Sequence, residues 1–175
     1  FWEDWIVLLK NKQGDIAGRL LKDAVLYSQG IDGLVHIADE SAAVHPSLYL
    51  AAMDVYGKAQ DYEKIEKTGE KVLEKVNRQL KIRAEICLKA AYASFRLGHE
   101  EKMMKFCWEC FCSESTEKNF LRLFGTKEMA VQYGMRGKEV LKNRIRGNCE
   151  NDIRNTELHR NIIDGYSYYF LSFYM

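Results

Sequence analysis

Apolar residues recur along this chain at intervals of three and four positions, and two-residue alternation is almost absent. This spacing predicts amphipathic α-helices that each bury one face. Short breaks separate the apolar segments at Gly30, Gln60-Asp61 and Gly98-His99. Connections this short join consecutive helices into antiparallel hairpins. The pattern therefore predicts an all-α protein built from helical hairpins.

Individual helix ends and buried faces follow from the same pattern. Asp15 is expected to cap the second helix, whose predicted buried face holds four residues: Ile16, Leu20, Ala24 and Tyr27. The helix after Gly30 is predicted to bury Leu34, Ile37, Ala38 and Ala42. Pro46 is expected at the first position of the next helix, where its missing amide proton has no partner to lose.

Two segments, 48–76 and 85–113, resemble each other when their turns are aligned. Their turns, Gln60-Asp61 and Gly98-His99, lie 38 residues apart. In this register Ile65 matches Met103, and Gly69 matches Cys107. The alignment predicts that the chain contains repeated hairpins.

The stretch DVYGKAQDYEKIEKTGEKVLEK resembles the turn and second helix of the tetratricopeptide repeat. Residues 15–46 can be placed as a further copy that ends at Pro46. The resemblance implies a right-handed stack of hairpins, an α-solenoid. Two positions depart from the family pattern, because Ile65 replaces the usual alanine and Gly69 stands where an aromatic residue is commoner.

We expect one helical-repeat domain over 1–175. Its predicted parts are a helix over 1–14, hairpins over 15–46, 47–77 and 80–113, a degenerate hairpin over 115–146, and a capping tail over 150–175. The tail ends in YSYYFLSFYM, which is expected to cover the end of the stack or to dock on another copy as a homodimer. The apolar start at Phe1, without a methionine, predicts a fragment of a larger protein.

Charge and a second resemblance support an alternative function. The string GIDGLVHIADESAAVHPSLYLAAMDVYGKAQDYEKI is similar to the helical region that accompanies SWIM zinc fingers in bacterial proteins, although the finger itself is not in this chain. Residues 118–146 carry eight bases against two acids, a net of +6, whereas residues 1–70 carry twelve acids against seven bases. The alternative is thus an accessory domain of a nucleic-acid-associated protein, whose basic 118–146 segment contacts phosphate.

The sequence CWECFC contains the most conspicuous candidate chemistry. Cys107 and Cys110 have a zinc-binding spacing, with Cys87 and His99 as further ligand candidates, while Cys112 follows closely. We favour core packing, because these cysteines fall within a predicted helix at its packing positions. Five cysteines without a framework spacing, and no apolar run of membrane-spanning length, indicate the cytoplasm. No cofactor is expected.

No spacing of histidine, carboxylate and nucleophile suits catalysis, so we expect a non-catalytic scaffold that binds a protein or peptide. In the tetratricopeptide register the first helix of each hairpin lines a groove. The predicted lining residues are Arg19, Asp23, Leu50, Asp54, Lys58, Tyr92, Phe95 and Arg96, with Leu26 and Leu88 beside them. The alternative for Tyr92 and Phe95 is that they pack into the core.

Overall fold

The computed structural model describes residues 1–148, with side chains up to residue 143. Its first six helices are α1 (Trp2–Lys10), α2 (Asp15–Glu40), α3 (Ser47–Lys58), α4 (Tyr62–Lys75), α5 (Lys81–Leu97) and α6 (Glu100–Ser113). No strand occurs in this part of the chain. The all-α prediction is therefore confirmed. Each of these helices packs against the next one along the chain, and α3 also contacts α5.

The chain divides into two compact units, Phe1–Glu114 and a second that begins at Ser115. The second contains α7 (Glu117–Leu121), a 3₁₀ turn (Arg122–Phe124), α8 (Lys127–Met129), a π-helical stretch (Ala130–Gly134) and α9 (Met135–Asn148). The last three of these follow one another without a break over 127–148, so helical structure lies on both sides of the 125–126 turn, where the degenerate hairpin over 115–146 was predicted. The tail predicted over 150–175 lies outside the described residues, and the single domain over 1–175 stays a prediction. Within residues 1–148, no helix has the length and apolar character needed to cross a membrane.

The long helix α2 is broken at Gly30, whose φ of 69° lies in the left-handed region. This break confirms the predicted separation of two helical arms, since a glycine adopts such a φ without a Cβ clash. The second arm and the loop after it bury four apolar residues, as predicted: Leu34, Ile37, Ala38 and Ala42.

The predicted buried face of the first arm of α2 is right for Ala24 and wrong for its other three residues. Ile16 is 69% exposed, Leu20 is exposed and Tyr27 is 79% exposed, with the Tyr27 ring 5.2 Å from that of Trp2. Beside Ala24, the arm buries Ala17, Gly18, Leu21 and Val25. Apolar residues lie on both adjoining faces of this arm, so periodicity did not distinguish between them. Packing selects the face with Gly18, where an added Cβ would lie only 3.2 Å from the His45 ring.

One helix start has the cap that its residue type favours, and two others differ from the prediction. Asp61 caps α4 as a side-chain acceptor for the Lys64 amide at 3.2 Å. Asp15 is instead the first residue of α2, with Gly14 in the capping position and no side-chain cap. Pro46 stands one residue before α3 rather than at its first position. Its φ of −61° is already helical, so the proline still directs the chain into α3.

The turns before α4 and α6 have the same backbone geometry. Gln60 and Gly98 both have left-handed φ values, 56° and 74°. The Asp61 amide donates to the Tyr56 carbonyl at 2.9 Å, and 38 residues later the His99 amide donates to the Ser94 carbonyl at 2.9 Å. These bonds satisfy carbonyls at the ends of α3 and α5. The predicted equivalence of the two turns is thus present in their hydrogen bonds.

Helix α4 approaches α5 and α6 closely at Gly69. A Cβ built there would lie 2.4 Å from the Ala90 Cβ and 3.1 Å from the ring of Phe106. Real Cβ atoms do not approach another carbon to 2.4 Å, so a side chain at this position would push the helices apart. The contact between α4 and α5 therefore depends on glycine at this position.

A buried ion pair joins α5 to α6. Arg83 is 6% exposed and donates to Glu109 at 2.8 Å, and it also donates to the carbonyls of Val76 (2.9 Å) and Leu73 (3.3 Å). Arg78 also binds Glu109, through its Nε at 3.0 Å. The guanidinium of Arg83 thus donates both to carbonyls at the end of α4 and to a carboxylate of α6.

Substitution by alanine should have opposite effects on stability at two glycines of this unit. At Gly57 of α3 an added Cβ would meet only the Ile65 side chain, at 4.0 Å, so Gly57→Ala should stabilise the protein by up to about 1 kcal/mol through helix propensity. Gly69→Ala should destabilise it by about 1–3 kcal/mol, because the methyl overlaps Ala90 and Phe106. Urea unfolding followed by circular dichroism measures both. Equal effects of the two substitutions would contradict the close approach.

Candidate functional site

A groove lies between α3 and α5, with the start of α4 along one side, and its volume is about 660 Å³. Residues of all three helices line it: Met53, Asp54, Gly57, Lys58, Tyr62, Ile65, Leu88, Lys89 and Tyr92. The lining residues of α3 recur at intervals of three and four, as do those of α5, so each helix presents one face. The groove therefore arises where α3 and α5 meet.

The floor of the groove is apolar. Met53 and Ile65 are buried, and Leu88 is half-buried beside them. Gly57 keeps the opening wide, because it contributes no side chain on the α3 wall. A bulky apolar side chain that entered this space would exchange contact with water for contact with apolar side chains. Removal of apolar surface from water is the main source of binding free energy in such grooves.

An arginine side chain lies against two tyrosine rings that line the groove. The guanidinium carbon of Arg96 lies 4.7 Å from the centre of the Tyr62 ring and 5.8 Å from that of Tyr92. The two rings meet edge to face at 6.1 Å, and Arg96 Nη1 donates to the Tyr92 hydroxyl at 3.0 Å. Cation–π contacts of this kind orient a guanidinium while its outer N–H groups still face solvent. We name this group the Tyr62–Arg96–Tyr92 stack.

Positive charges outnumber negative charges at the rim of the groove. Lys89 Nζ binds Asp54 at 2.6 Å, so these two charges offset each other. Among the described residues, neither Lys58 nor Arg96 has a carboxylate oxygen within 4 Å. The rim and the stack together therefore carry a net charge of +2.

The structure brings together four of the eight residues predicted for a groove. Asp54, Lys58 and Tyr92 line it, and Arg96 lies in the stack beside it. Leu88, which the register also placed there, lines it too.

The other four predicted residues lie elsewhere. Leu50 packs half-buried against the core, and Phe95 is exposed outside the lining. Arg19 and Asp23 are exposed on α2, where Asp23 pairs with Lys22 at 3.2 Å. The alternative that Tyr92 and Phe95 pack in the core is wrong, since they are 55% and 65% exposed.

Sequence reasoning missed the α4 side of the groove. Tyr62 and Ile65 contribute to the lining although the repeat register assigns only first helices to it. The sequence contains part of the signal, because the spacing of Tyr62, Ile65 and Gly69 places them on one face of α4. That this face approaches α5 is seen only in the structure. Met53, Gly57 and Lys89 were missed as well.

Outside the groove, a buried carboxylate joins α4, α5 and α6. Glu66 is 3% exposed; it accepts from Ser94 at 2.7 Å, from Lys102 at 2.7 Å and from His99 Nδ1 at 2.9 Å. Burial raises the pKa of Glu66, but the hydrogen bonds from Lys102, Ser94 and His99 outweigh it and hold the pKa below its usual 4.5. The Ser94 hydroxyl donates to Glu66, so within this cluster it joins α5 to α4.

The cysteines of CWECFC are on α6, where Cys110 and Cys112 are buried and Cys107 is half-buried against the core. Cys87 is buried on α5, and burial raises the pKa of its thiol to about 12. Across residues 1–148, no group of three or more histidine, cysteine or acidic side chains is arranged to hold a metal ion. These placements fit the packing role that we favoured from the sequence.

The basic segment 118–146 belongs to the second unit. Exposed positions there include Lys118, Lys127, Arg136 and Lys142, whereas Arg122 and Lys138 are half-buried. The side chains of Arg144 and Arg146 lie outside the described part. A role of this segment in nucleic-acid binding stays a prediction.

Comparison with known proteins found no match to this chain among protein-family models, curated proteins or solved structures.

The Glu66 cluster predicts a specific pH dependence of stability. Since the pKa of Glu66 is lower in the folded than in the unfolded chain, its contribution is complete above the unfolded value near 4.5 and is lost as the pH falls through the folded value. Glu66→Gln should lower the stability at pH 7 by about 2 kcal/mol and flatten its decline in acid. Urea midpoints from pH 3 to pH 7 measure this, with the exposed Glu74→Gln as control. A decline as steep as in wild type would contradict the assignment.

Cysteine labelling tests the packing around α5 and α6. With a thiol pKa of about 12, Cys87 has a thiolate fraction near pH 8 roughly a thousandfold below that of an ordinary cysteine. Iodoacetamide should therefore label half-buried Cys107 long before Cys87 in the folded protein. In guanidinium, which unfolds the chain, the two cysteines should be labelled at the same rate. Peptide mass spectrometry follows each site separately. Fast native labelling of Cys87 would show that its surroundings open readily.

Proposed function

We propose that residues 15–113 form a right-handed stack of antiparallel hairpins of the tetratricopeptide type, which serves as a non-catalytic scaffold. The matching turns at Gln60-Asp61 and Gly98-His99 support the repeat. Contact between α3 and α5 supports the stack, because the first helices of successive hairpins meet in such an architecture.

The groove between α3 and α5 binds a segment of a partner protein through a bulky apolar side chain. The single observation that carries this proposal is the apolar groove itself, which the Tyr62–Arg96–Tyr92 stack bounds. Its volume falls within the range of about 300–1,000 Å³ that is usual for ligand sites. Tyrosine and arginine are also enriched among the residues that dominate binding energy at protein interfaces.

An alternative explanation is that the exposed apolar surface has no partner. Tyr92 is 55% exposed beside the apolar groove, where water contact is unfavourable. Single exposed apolar residues are ordinary on protein surfaces, whereas here an aromatic residue adjoins a concave lining of Met53, Ile65 and Leu88. The concave arrangement favours a binding surface.

Gly57→Trp tests the proposal by filling the groove. Gly57 is exposed on α3, with only the Ile65 side chain near its Cβ position, so the indole can enter the groove without disturbing the backbone. Peptides selected from a random display library on the wild-type chain should bind Gly57→Trp at least about tenfold more weakly. Fluorescence polarisation with labelled peptides measures the affinities.

The matched control is Lys67→Trp, which adds the same side chain at an exposed position of α4 outside the groove lining. It should leave the affinity unchanged. Circular dichroism melts establish that both variants are folded. If no selected peptide distinguishes Gly57→Trp from the control, the groove is not the binding site and the proposal fails.

A further inference from the structure

The excess positive charge at the groove restricts which kind of segment can bind there. The Asp54 carboxylate is paired with Lys89, so it does not offset the charges of Lys58 and Arg96. Lys58 is exposed on the α3 wall, and Arg96 is exposed at the stack. In the described part of the chain, both lack a carboxylate within ion-pairing distance. A ligand that supplied a negative charge here would find two unneutralised cations beside an apolar space.

Arg96 is the better placed of the two cations. Its side chain is held by the rings of Tyr62 and Tyr92 and by the hydrogen bond to the Tyr92 hydroxyl, so binding would order little that is not already ordered. A guanidinium can donate two parallel hydrogen bonds to one carboxylate, and stacking on aromatic faces leaves its edge available for them. Lys58, by contrast, contributes a flexible point charge.

Resting on the groove function proposed above, we infer that the partner segment carries an aspartate or glutamate side chain next to its apolar anchor, and that Arg96 binds this carboxylate. Along α5 the groove lining runs from Leu88 to Tyr92, so the anchor lies eight to four residues before Arg96, about 12 to 6 Å along the axis. An extended peptide advances about 3.3 Å per residue, so the acid is expected about two to four positions from the anchor. The recognised pattern is thus a bulky apolar residue and an acid at that spacing.

A nucleic-acid strand fits this surface less well. Phosphate backbones are bound by rows of cations that follow successive charges. Here one of the three basic residues is paired with Asp54, and the floor between them is apolar. A peptide with one acid and one apolar anchor matches both features.

Composition of the selected peptides gives the first readout. Among peptides whose binding is lost with Gly57→Trp, acids should be enriched about two to four positions from a bulky apolar residue. Synthetic peptides with an amidated C-terminus then exclude the terminal carboxylate as the source of the negative charge. Replacing the acid by its amide, Asp→Asn or Glu→Gln, should weaken binding to the wild-type chain about fivefold to tenfold.

A double-mutant comparison locates the contact on the protein. With Arg96→Gln, the acidic peptide and its amide counterpart should bind equally, because the charge that distinguishes them is gone. Lys105→Gln, which removes an exposed positive charge from α6, should preserve the full difference. The preference for the acidic peptide should also decrease as salt rises from 0.05 M to 0.5 M, whereas the contribution of the apolar anchor should persist.

The possible outcomes separate the two proposals. Groove-dependent peptides without acid enrichment, or an acid preference that survives Arg96→Gln, would overturn this inference and leave the groove function intact. Peptides that bind only through a free C-terminal carboxylate would overturn it equally. Failure to obtain any peptide sensitive to Gly57→Trp would overturn the groove function and the inference together.

Discussion

The close approach of α4 to α5 at Gly69 is the constraint on which the first unit depends. Without a side chain at this position, Ala90 and Phe106 can occupy the space next to the α4 backbone. Tyr62 and Ile65 lie on the same face of α4, one to two turns before Gly69. Their place at the groove is therefore set by the distance that Gly69 permits, and a wider spacing would separate Ile65 from the α5 wall.

Three carboxylates bind donors from several elements around this apolar contact. Asp39 accepts from Tyr49 at 2.9 Å and Lys71 at 2.7 Å, which joins α2 to α3 and α4. Glu66 joins α4 to α5 and α6, and Glu109 joins α6 to Arg83 on α5. Buried ion pairs add little net stability over apolar packing, but a missing partner leaves a charge unpaired.

Sequence periodicity predicted the helices and the turns well because both depend on local chemistry. Gly30 and Gly98 adopt left-handed φ values, and Asp61 caps α4, each as the residue type favours. The buried face of the first arm of α2 was not predictable in the same way. Ile16 and Leu21 are equally apolar, and only the neighbours of α2 decide which of them is buried.

The candidate site was half predictable for a related reason. Asp54, Lys58 and Tyr92 follow from helical spacing on the first helices, and the structure brings them to one groove. Tyr62 and Ile65 required knowledge of how closely α4 packs on α5, which depends on Gly69 and cannot be obtained from periodicity. Arg96 lay in the predicted register, but its stacking on Tyr62 joins residues of two different helices.

Ile65 and Gly69 have opposite tasks on one face of α4. They lie four residues apart, so the bulk of Ile65 stands at the part of α4 that lines the groove, whereas Gly69 leaves the part that packs against Ala90 without a side chain. Since well-packed interiors leave little room for added atoms, a side chain at position 69 would move α4 away from α5. Ile65 would then move away from Leu88 as well. The apolar floor beside the Tyr62–Arg96–Tyr92 stack therefore needs both residues, one for its volume and the other for its lack of volume.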